Sequence, residues 1–206
     1  MPVLKVIHEE ACYFSGEGKY HDSAAAESVV SYVLNPEKTR NDFIGGRGVN
    51  VSQAAYEMNR MTEAFDKESG IRVRHMILSF SPQEERRLGK TRYDVAVMLD
   101  RIAQYAISYY AGEYQIIYAV HEDTRHLHIH MVMNVVSCRT GKKYDGRKKD
   151  YYAFQSFLND FLKEQFGMHL MTMTDITSTI SSKIRSLQRC LRYSHRLRSF
   201  PNTRHR

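Results

Sequence analysis

The chain has 206 residues, of which 42% are hydrophobic and 26% charged, so it suits one compact domain with a sizeable core rather than a disordered protein. No apolar run approaches the roughly 20 residues of a membrane span, and the first residues lack the apolar core of a signal peptide. Three cysteines stand far apart in the chain, which excludes a disulfide framework and a zinc ribbon. We therefore expect a cytoplasmic protein with reduced thiols and no membrane partner.

The formal net charge of +7 is unevenly distributed. Residues 177–206 contain eight of the 30 Lys and Arg residues and no Asp or Glu, which leaves 22 basic and 23 acidic residues elsewhere. A second basic cluster, "RTGKKYDGRKKD", occupies residues 139–150. Localised positive charge favours a polyanion partner such as DNA or RNA, and a solvated surface is the alternative.

Hydrophobic periodicity predicts a short strand at residues 3–8, followed by helices at 23–35 and 51–65. Between the two helices, "GGRGVN" at residues 45–50 predicts a loop because it is rich in glycine. A β-rich run at residues 71–80 predicts the next strand, which a Ser-Pro pair closes.

The second half of the chain continues with a predicted helix at residues 93–111 and two strands at 114–121 and 126–137. A helix at residues 151–167 follows, and the tail has a basic helical pattern around 182–197. This order predicts an α+β fold, an antiparallel sheet with helices packed mainly on one face.

We assign the chain to two parts on the basis of these patterns. Residues 1–167 form the α+β domain, and residues 168–206 form a basic, helical tail of unassigned role. The tail carries most of the excess positive charge, so the domain itself is close to neutral.

The stretch "HLHIHMVMN", His126 to Asn134, places three histidines at every second position. Residues two apart share a face of a strand, so His128 and His130 lie on the same face as His126. The intervening residues are all apolar and predict the face that packs on helices. We expect the histidine face to be open to ligand or solvent.

Pairing the two strands about Thr124 and Arg125 puts His121 opposite His128, with His130 two residues further along the same face. Three neutral imidazoles that converge in this way predict a divalent-metal site with open coordination positions. A single histidine on a strand is usually structural. A cluster of three is harder to explain in that way, because buried imidazoles lose their hydrogen-bond partners.

Three further residues belong to the predicted site. Asp123, in the loop between the strands, is a candidate to orient a ligand histidine or to act as a general base. His126 is expected to line the site at the loop edge without being a principal ligand. Asn134 is expected to add a polar contact further along the same face.

The whole stretch "HEDTRHLHIHMVMN" resembles the HxD…HxHxxxN signature of DNA relaxases, the mobilisation nucleases of conjugative plasmids and integrative elements within the HUH endonuclease group. "SYVLNPEKT", residues 31–39, resembles the first motif of that family, and "HMILSFSPQE", residues 75–84, resembles the second. The resemblance covers about Val3 to Lys148, and the histidine motif is its most specific part.

The resemblance implies an antiparallel sheet whose central hairpin presents the metal ligands His121, His128 and His130. The ion is expected to be Mn²⁺ or Mg²⁺, with Zn²⁺ as an alternative. Tyr32 takes the position of the nucleophile, which nicks one strand at an origin of transfer and leaves a 5′-phosphotyrosyl link. The position of Ser79 matches a serine that contacts DNA.

The same resemblance implies single-stranded origin DNA as substrate, with relaxosome accessory proteins and a type IV secretion coupling protein as partners in a bacterial cytoplasm. The basic cluster after the histidine strand is then a candidate DNA grip, in which an aromatic ring offers a stacking face. Its candidate residues are Arg139, Lys142, Lys143, Tyr144, Arg147 and Lys148.

Three alternatives remain at this point. His126, His128 and His130 also fit the pattern of histidine-triad nucleotide hydrolases, which need no metal. A rolling-circle replication initiator shares the HUH chemistry, but such proteins usually carry the tyrosine after the histidines. A basic DNA-binding module with a degenerate site is the non-enzymatic alternative.

Overall fold

A five-stranded antiparallel sheet organises the protein. The computed structural model describes residues 1–7 and 24–172, so the expected tail helix lies outside the described residues. In chain order the elements are β1 (Val3–Ile7), α1 (Ala24–Val33), β2 (Ile44–Arg47), α2 (Ala54–Ala64), β3 (Val73–Ser79), α3 (Pro82–Leu88), α4 (Arg92–Ser108), β4 (Ile116–His121), β5 (His128–Asn134) and α5 (Lys148–Phe166). Within the described ranges, no helix is long and apolar enough to cross a membrane.

The strand order is β1-β3-β5-β4-β2, and every neighbouring pair is antiparallel. The histidine strand β5 therefore lies at the centre, between β3 and β4. In the hairpin of β4 and β5, His121 pairs with His128, as predicted from the short symmetrical loop. Such a register fixes which side chains share a face along the whole hairpin.

Helices cover both faces of this sheet, and the predicted α+β class is confirmed. The larger core packs β3, β4 and β5 against α4 and α5, the two longest helices. A smaller core packs α1 and α2 on the opposite face, which carries the histidines. The residues of the smaller core are Ala26, Val29, Val30, Val33, Ala54, Met58, Val73, Ile117, Ala119 and Val132.

The expectation that the histidine face would be open is wrong over most of its length. α1 and α2 cover it, so that Val132 and Asn134 are fully buried and His130 is only 1% exposed. His128, at the start of β5, is half-buried and keeps contact with solvent. The open part of this face is therefore confined to the loop end of the hairpin.

Two elements were missed by the sequence patterns. β2 pairs with β4 at the glycine-rich stretch, where a Cβ on Gly45 would lie 2.5 Å from the ring of Tyr118. Glycine there permits the close approach, although it lowers strand propensity. The Ser-Pro pair after β3 begins α3, in which Ser81 and Glu84 form a capping box with Pro82 in the first turn.

Candidate metal centre and nucleophile

Three histidines meet at the loop end of the β4–β5 hairpin. His121 ends β4, while His128 and His130 are the first and third residues of β5. One ring nitrogen from each lies within 4.8 Å of the others, and the ring centroids are 4.1 to 5.4 Å apart. The strands bring together the three histidines that hairpin pairing predicted.

In two of these histidines, the ring nitrogen that faces away from the cluster, the outer nitrogen, hydrogen-bonds a main-chain carbonyl oxygen. His121 Nε2 lies 2.9 Å from the carbonyl oxygen of Val33, and His128 Nδ1 lies 3.1 Å from that of His126. A carbonyl oxygen only accepts, so each of these nitrogens carries the proton and donates it. The opposite nitrogens, His121 Nδ1 and His128 Nε2, therefore keep their lone pairs for a ligand.

His130 meets a histidine instead of a carbonyl. Its Nδ1 lies 2.7 Å from Nε2 of His75, which is a β3 residue and only 6% exposed. His75 was missed by sequence reasoning, because nothing local in "VRHMILSF" indicates that β3 pairs with β5. Its position on the histidine face follows only from the register, in which Ile77 pairs with His130 and His75 with Val132.

The donor atoms fit a bound cation. Both His121 Nδ1 and His130 Nε2 are buried without a hydrogen-bond partner. Burial of an unsatisfied polar atom costs about 1–3 kcal/mol, and coordination of a metal ion offsets that cost. These two orphaned nitrogens, together with His128 Nε2, form a three-imidazole donor set that could hold a metal ion.

Burial favours the neutral form of His121, His130 and the adjacent His75, and the neutral imidazole is the form that binds metals. Desolvation lowers the pKa of His121 and that of His130, and the neighbouring histidines lower the pKa of His130 further. Desolvation and the nearby His121 lower the pKa of His75 to about 4. His121 and His130 therefore present lone pairs rather than positive charge at neutral pH.

Tyr32 stands over the histidine cluster. It lies in the last turn of α1 and its residue is 46% exposed, although the neighbouring Val33 is fully buried. Its ring centroid is 5.6 Å from that of His130 and 5.7 Å from that of His121. The helix thus buries its apolar stripe in the smaller core and turns this tyrosine towards the candidate metal ligands.

Lys38 joins the tyrosine to the hairpin loop. Its ammonium lies 5.0 Å from the centroid of the Tyr32 ring and 2.7 Å from the carboxylate of Asp123. Desolvation raises the pKa of Asp123, but the hydrogen bond and charge of Lys38 outweigh it and hold that pKa below its ordinary value. The Asp123 carboxylate is thus occupied by Lys38, which makes it a poorer proton acceptor than a free carboxylate.

Polar contacts from two arginines fix the hairpin loop. The Arg92 guanidinium, in the first turn of α4, donates to the carbonyl oxygens of Glu122 and Thr124, each at 2.7 Å. Arg40 forms a 2.7 Å ion pair with the Glu122 carboxylate. Because the loop joins the ends of β4 and β5, these contacts hold the ligand histidines in register.

Two predicted site residues lie elsewhere. His126 precedes β5, and its Nδ1 lies 3.7 Å from the carboxylate of Glu85 in α3, so it does not line the cluster. Asn134 is buried at the other end of β5, where its amide donates to Met58 O at 3.2 Å and to Gln115 Oε1 at 2.9 Å. Strand parity predicted the face on which Asn134 lies, but α2 covers that part of the face, so Asn134 lies away from the histidine cluster.

The predicted DNA contacts fall in two places. Ser79 pairs with His128 across β3 and β5 and is half-buried beside the cluster. The basic segment instead emerges from the far end of β5, where Lys143 bridges to Val136. Val136 lies six residues after His130, which is about 20 Å along a strand. The segment therefore does not line the histidine cluster.

Within that segment, some residues are engaged by the protein itself. The Lys143 ammonium donates to the main-chain carbonyls of Ser69 and Ile71. The Tyr144 ring packs edge-on to the ring of Tyr114, and the Arg74 guanidinium lies 5.1 Å from its centroid. Arg139, Lys142, Arg147 and Lys148 are exposed.

Comparison with known proteins identifies the class to which this fold and histidine centre belong. The model of the family "Relaxase: MobA/VirD2-like, nuclease domain" matches residues 32–166, which is more than half of the chain. The chain therefore belongs to the MobA/VirD2-like relaxase family, and the resemblance found in its motifs is confirmed. This membership argues against the histidine-triad hydrolase, in which His126 would join the catalytic set.

Particular relatives support the same class. The chain is 26% identical over 144 residues to the "Group II intron-interrupted relaxase LtrB" of Lactococcus lactis subsp. cremoris, a match that covers 57% of this chain and 24% of that protein. It is 27% identical over 139 residues to "Protein rlx" of Staphylococcus aureus, covering 68% of this chain and 40% of that protein. The chain thus spans less than half the length of these relatives.

A solved structure, described as "Molecular Basis of Vancomycin Resistance Transfer in Staphylococcus aureus", overlaps 83% of this chain and 97% of that chain. The TM-score is 0.45 and the sequence identity is 12%.

Proposed function

We propose that this chain is a DNA relaxase that nicks one strand at an origin of transfer and rejoins it, with Tyr32 as the nucleophile. The observation that carries the proposal is the position of Tyr32, whose ring lies within 6 Å, centroid to centroid, of both His121 and His130. A tyrosine beside a three-histidine centre matches the parts that phosphodiester transfer to a side chain requires.

In the proposed reaction, Tyr32 Oη attacks the scissile phosphorus while the bond to the 3′ oxygen breaks. The product is a 5′-phosphotyrosyl link and a free 3′-OH, which takes up the proton that balances the one lost by Tyr32. The reverse reaction consumes the 3′-OH and releases Tyr32. Because one phosphodiester replaces another, the bond energy is conserved for rejoining.

His121, His128 and His130 would hold a divalent ion, for which Mn²⁺ or Mg²⁺ is our expectation and Zn²⁺ the alternative. Such an ion, when bound, supplies Lewis-acid stabilisation of the charge that develops on the non-bridging oxygens. Among these ions, a three-imidazole donor set favours Zn²⁺ and Mn²⁺ over Mg²⁺, which prefers oxygen ligands.

We propose that Asp123 acts by holding Lys38 rather than as the general base. Its carboxylate is engaged by the ammonium at 2.7 Å, and its pKa is lowered from the ordinary value. Lys38 is thereby kept close to the Tyr32 ring, where its positive charge attracts the DNA phosphate that Tyr32 attacks. The phenolic proton has a path to water, because Tyr32 is 46% exposed.

The substrate and partners follow from the same proposal. We expect single-stranded origin DNA to cross the open end of the hairpin beside Ser79, within the cytoplasm of a bacterium. Relaxosome accessory proteins and a type IV secretion coupling protein are the proposed protein partners. Exposed Arg139, Lys142, Arg147 and Lys148 remain candidates for distant contacts with the DNA backbone.

The deciding experiment incubates the full chain and its Tyr32→Phe variant with labelled single-stranded origin DNA and Mn²⁺, and resolves the covalent adduct on a denaturing gel. Tyr152→Phe is the matched control, because Tyr152 is 51% exposed on α5, which packs on the opposite face of the sheet. We expect the adduct with the parent chain and with Tyr152→Phe, and none with Tyr32→Phe.

In the second arm of that experiment, a chelator is added to the parent chain and cleavage is measured again. Removal of the divalent ion is expected to stop cleavage, whereas a metal-independent hydrolase would continue to turn over nucleotide. Adduct formation by Tyr32→Phe would show that another residue is the nucleophile.

A further inference from the structure

We propose that His75 is a positioning residue that keeps the proton of His130 on Nδ1 and so presents His130 Nε2 as a metal ligand. The inference deepens the proposed function and rests on its metal centre. His75 lies outside the hairpin that carries the three candidate ligands, on the neighbouring strand β3.

The contact between the two rings requires one donor and one acceptor. His75 Nε2 and His130 Nδ1 are 2.7 Å apart, and both residues are buried, at 6% and 1% exposure. At that distance one nitrogen carries the hydrogen and the other its lone pair. Two arrangements satisfy the contact, and they have opposite consequences for the metal centre.

If His75 donates, the proton of neutral His130 stands on Nε2. That N–H would point into the cluster, where no hydrogen-bond acceptor meets it, and would prevent coordination. If His130 donates from Nδ1, its Nε2 keeps the lone pair and faces His121 and His128. Only the second arrangement avoids a buried unsatisfied donor and completes the donor set.

His130 differs in this respect from the other two candidate ligands. The outer nitrogens of His121 and His128 face main-chain carbonyls, which only accept, so the backbone fixes their protons. The outer partner of His130 is an imidazole, which can donate or accept. The coordinating form of His130 therefore depends on a side chain, and a substitution at His75 can change it.

Sheet geometry explains why His75 is placed to do this. Ile77 pairs directly with His130, so His75 is the diagonal neighbour two residues away on the same face. Diagonal neighbours are about 7 Å apart and lie within reach of each other when the side chains are aromatic. The ring centroids are 5.0 Å apart with the planes tilted by 31°, and the 2.7 Å contact joins a nitrogen of one ring to a nitrogen of the other.

The first test reads the proton directly and needs no variant. We expect ¹⁵N spectra of the full chain, labelled at histidine and freed of metal at neutral pH, to show His130 protonated on Nδ1. A scalar coupling across the hydrogen bond should join His130 Nδ1 to His75 Nε2. Protonation of His130 on Nε2 would overturn the inference.

The second test measures metal affinity by titration calorimetry with Mn²⁺. His75→Gln keeps an acceptor for His130 Nδ1–H, whereas His75→Phe keeps the size of the side chain and removes the acceptor. We expect His75→Phe to weaken metal binding by about 10- to 100-fold and His75→Gln to retain most of the affinity. Unchanged affinity in His75→Phe, or an equal loss in both variants, would contradict a role through the hydrogen bond.

The two proposals fail in distinguishable ways. If the parent chain forms no covalent DNA adduct but shows the Nδ1 proton and the loss of affinity in His75→Phe, the proposed function fails and the role of His75 stands. If the adduct forms in a metal-dependent manner while His130 carries its proton on Nε2, the role of His75 fails alone.

Discussion

The two ends of β5 differ in the hydrogen bonding of their buried polar side chains. At the far end, the side chain of Asn134 hydrogen-bonds Met58 and Gln115, and that of Ser137 hydrogen-bonds Glu113. At the loop end, His121 Nδ1 and His130 Nε2 are buried without a partner. Proteins rarely leave buried polar atoms unsatisfied, so these two nitrogens support the proposal of a bound ligand at the histidine cluster.

The largest expected effect comes from the loop end. His128 is half-buried and so tolerates truncation. We expect His128→Ala to abolish measurable Mn²⁺ binding and adduct formation, because two imidazoles alone hold the ion poorly. Calorimetry and the denaturing-gel assay measure the two effects. His126→Ala is the matched control, since its ring faces Glu85, and undiminished cleavage by His128→Ala would exclude the three-histidine site.

Truncation of a side chain at the far end should lower the stability of the protein and leave its metal affinity unchanged. Asn134→Ala leaves Gln115 Oε1 and the Val136 N–H without their buried partner, which we expect to lower the free energy of unfolding by about 3 kcal/mol. Urea denaturation measures this loss. Metal affinity of the folded variant should stay near that of the parent chain, and a selective loss of metal binding would return Asn134 to the site.

Lowering the pH should reduce the stability of the metal-free protein through His75, which contacts the histidine cluster. His75 has a pKa of about 4 when folded and 6.5 when unfolded, so below pH 6.5 the unfolded chain binds its proton first. Stability of the metal-free protein is therefore complete above pH 6.5 and falls between pH 6.5 and 4, by about 2 kcal/mol at pH 5 from this group. Urea denaturation at pH 7.5 and pH 5 checks the fall, and His75→Gln should reduce it. An equal fall in the variant would assign it to other groups.

The smallest expected effect is at Lys38. Lys38→Met removes a partly exposed ion pair, so stability should change by less than about 1 kcal/mol. The rate of adduct formation should fall roughly tenfold, which corresponds to about 1.4 kcal/mol in the barrier. Single-turnover kinetics measure the rate. Lys163→Met, exposed on α5 on the opposite face of the sheet, is the control, and equal rates for the two variants would remove Lys38 from the reaction.

The features that could be predicted from the sequence are those set by residues close together in the chain. The register of the β4–β5 hairpin followed from its short loop, and the histidine cluster followed from that register. Long-range packing could not be predicted in this way. His75 joins the cluster only because β3 pairs with β5, and Asn134 is removed from it only because α2 covers that end of the face. The capping box of α3, in contrast, was present in the sequence as Ser81 and Glu84 and was overlooked.

The hydrogen bond from His121 Nε2 to the Val33 carbonyl has a consequence for control of the reaction. Val33 is the residue next to Tyr32, so a candidate metal ligand is tied directly to the turn of α1 that carries the candidate nucleophile. Binding at one then alters the free energy of ordering the other, and thermodynamic reciprocity makes the effect mutual. If the proposed function holds, we expect an ion at His121 to stabilise the end of α1, and DNA bound at Tyr32 to raise the affinity for the ion.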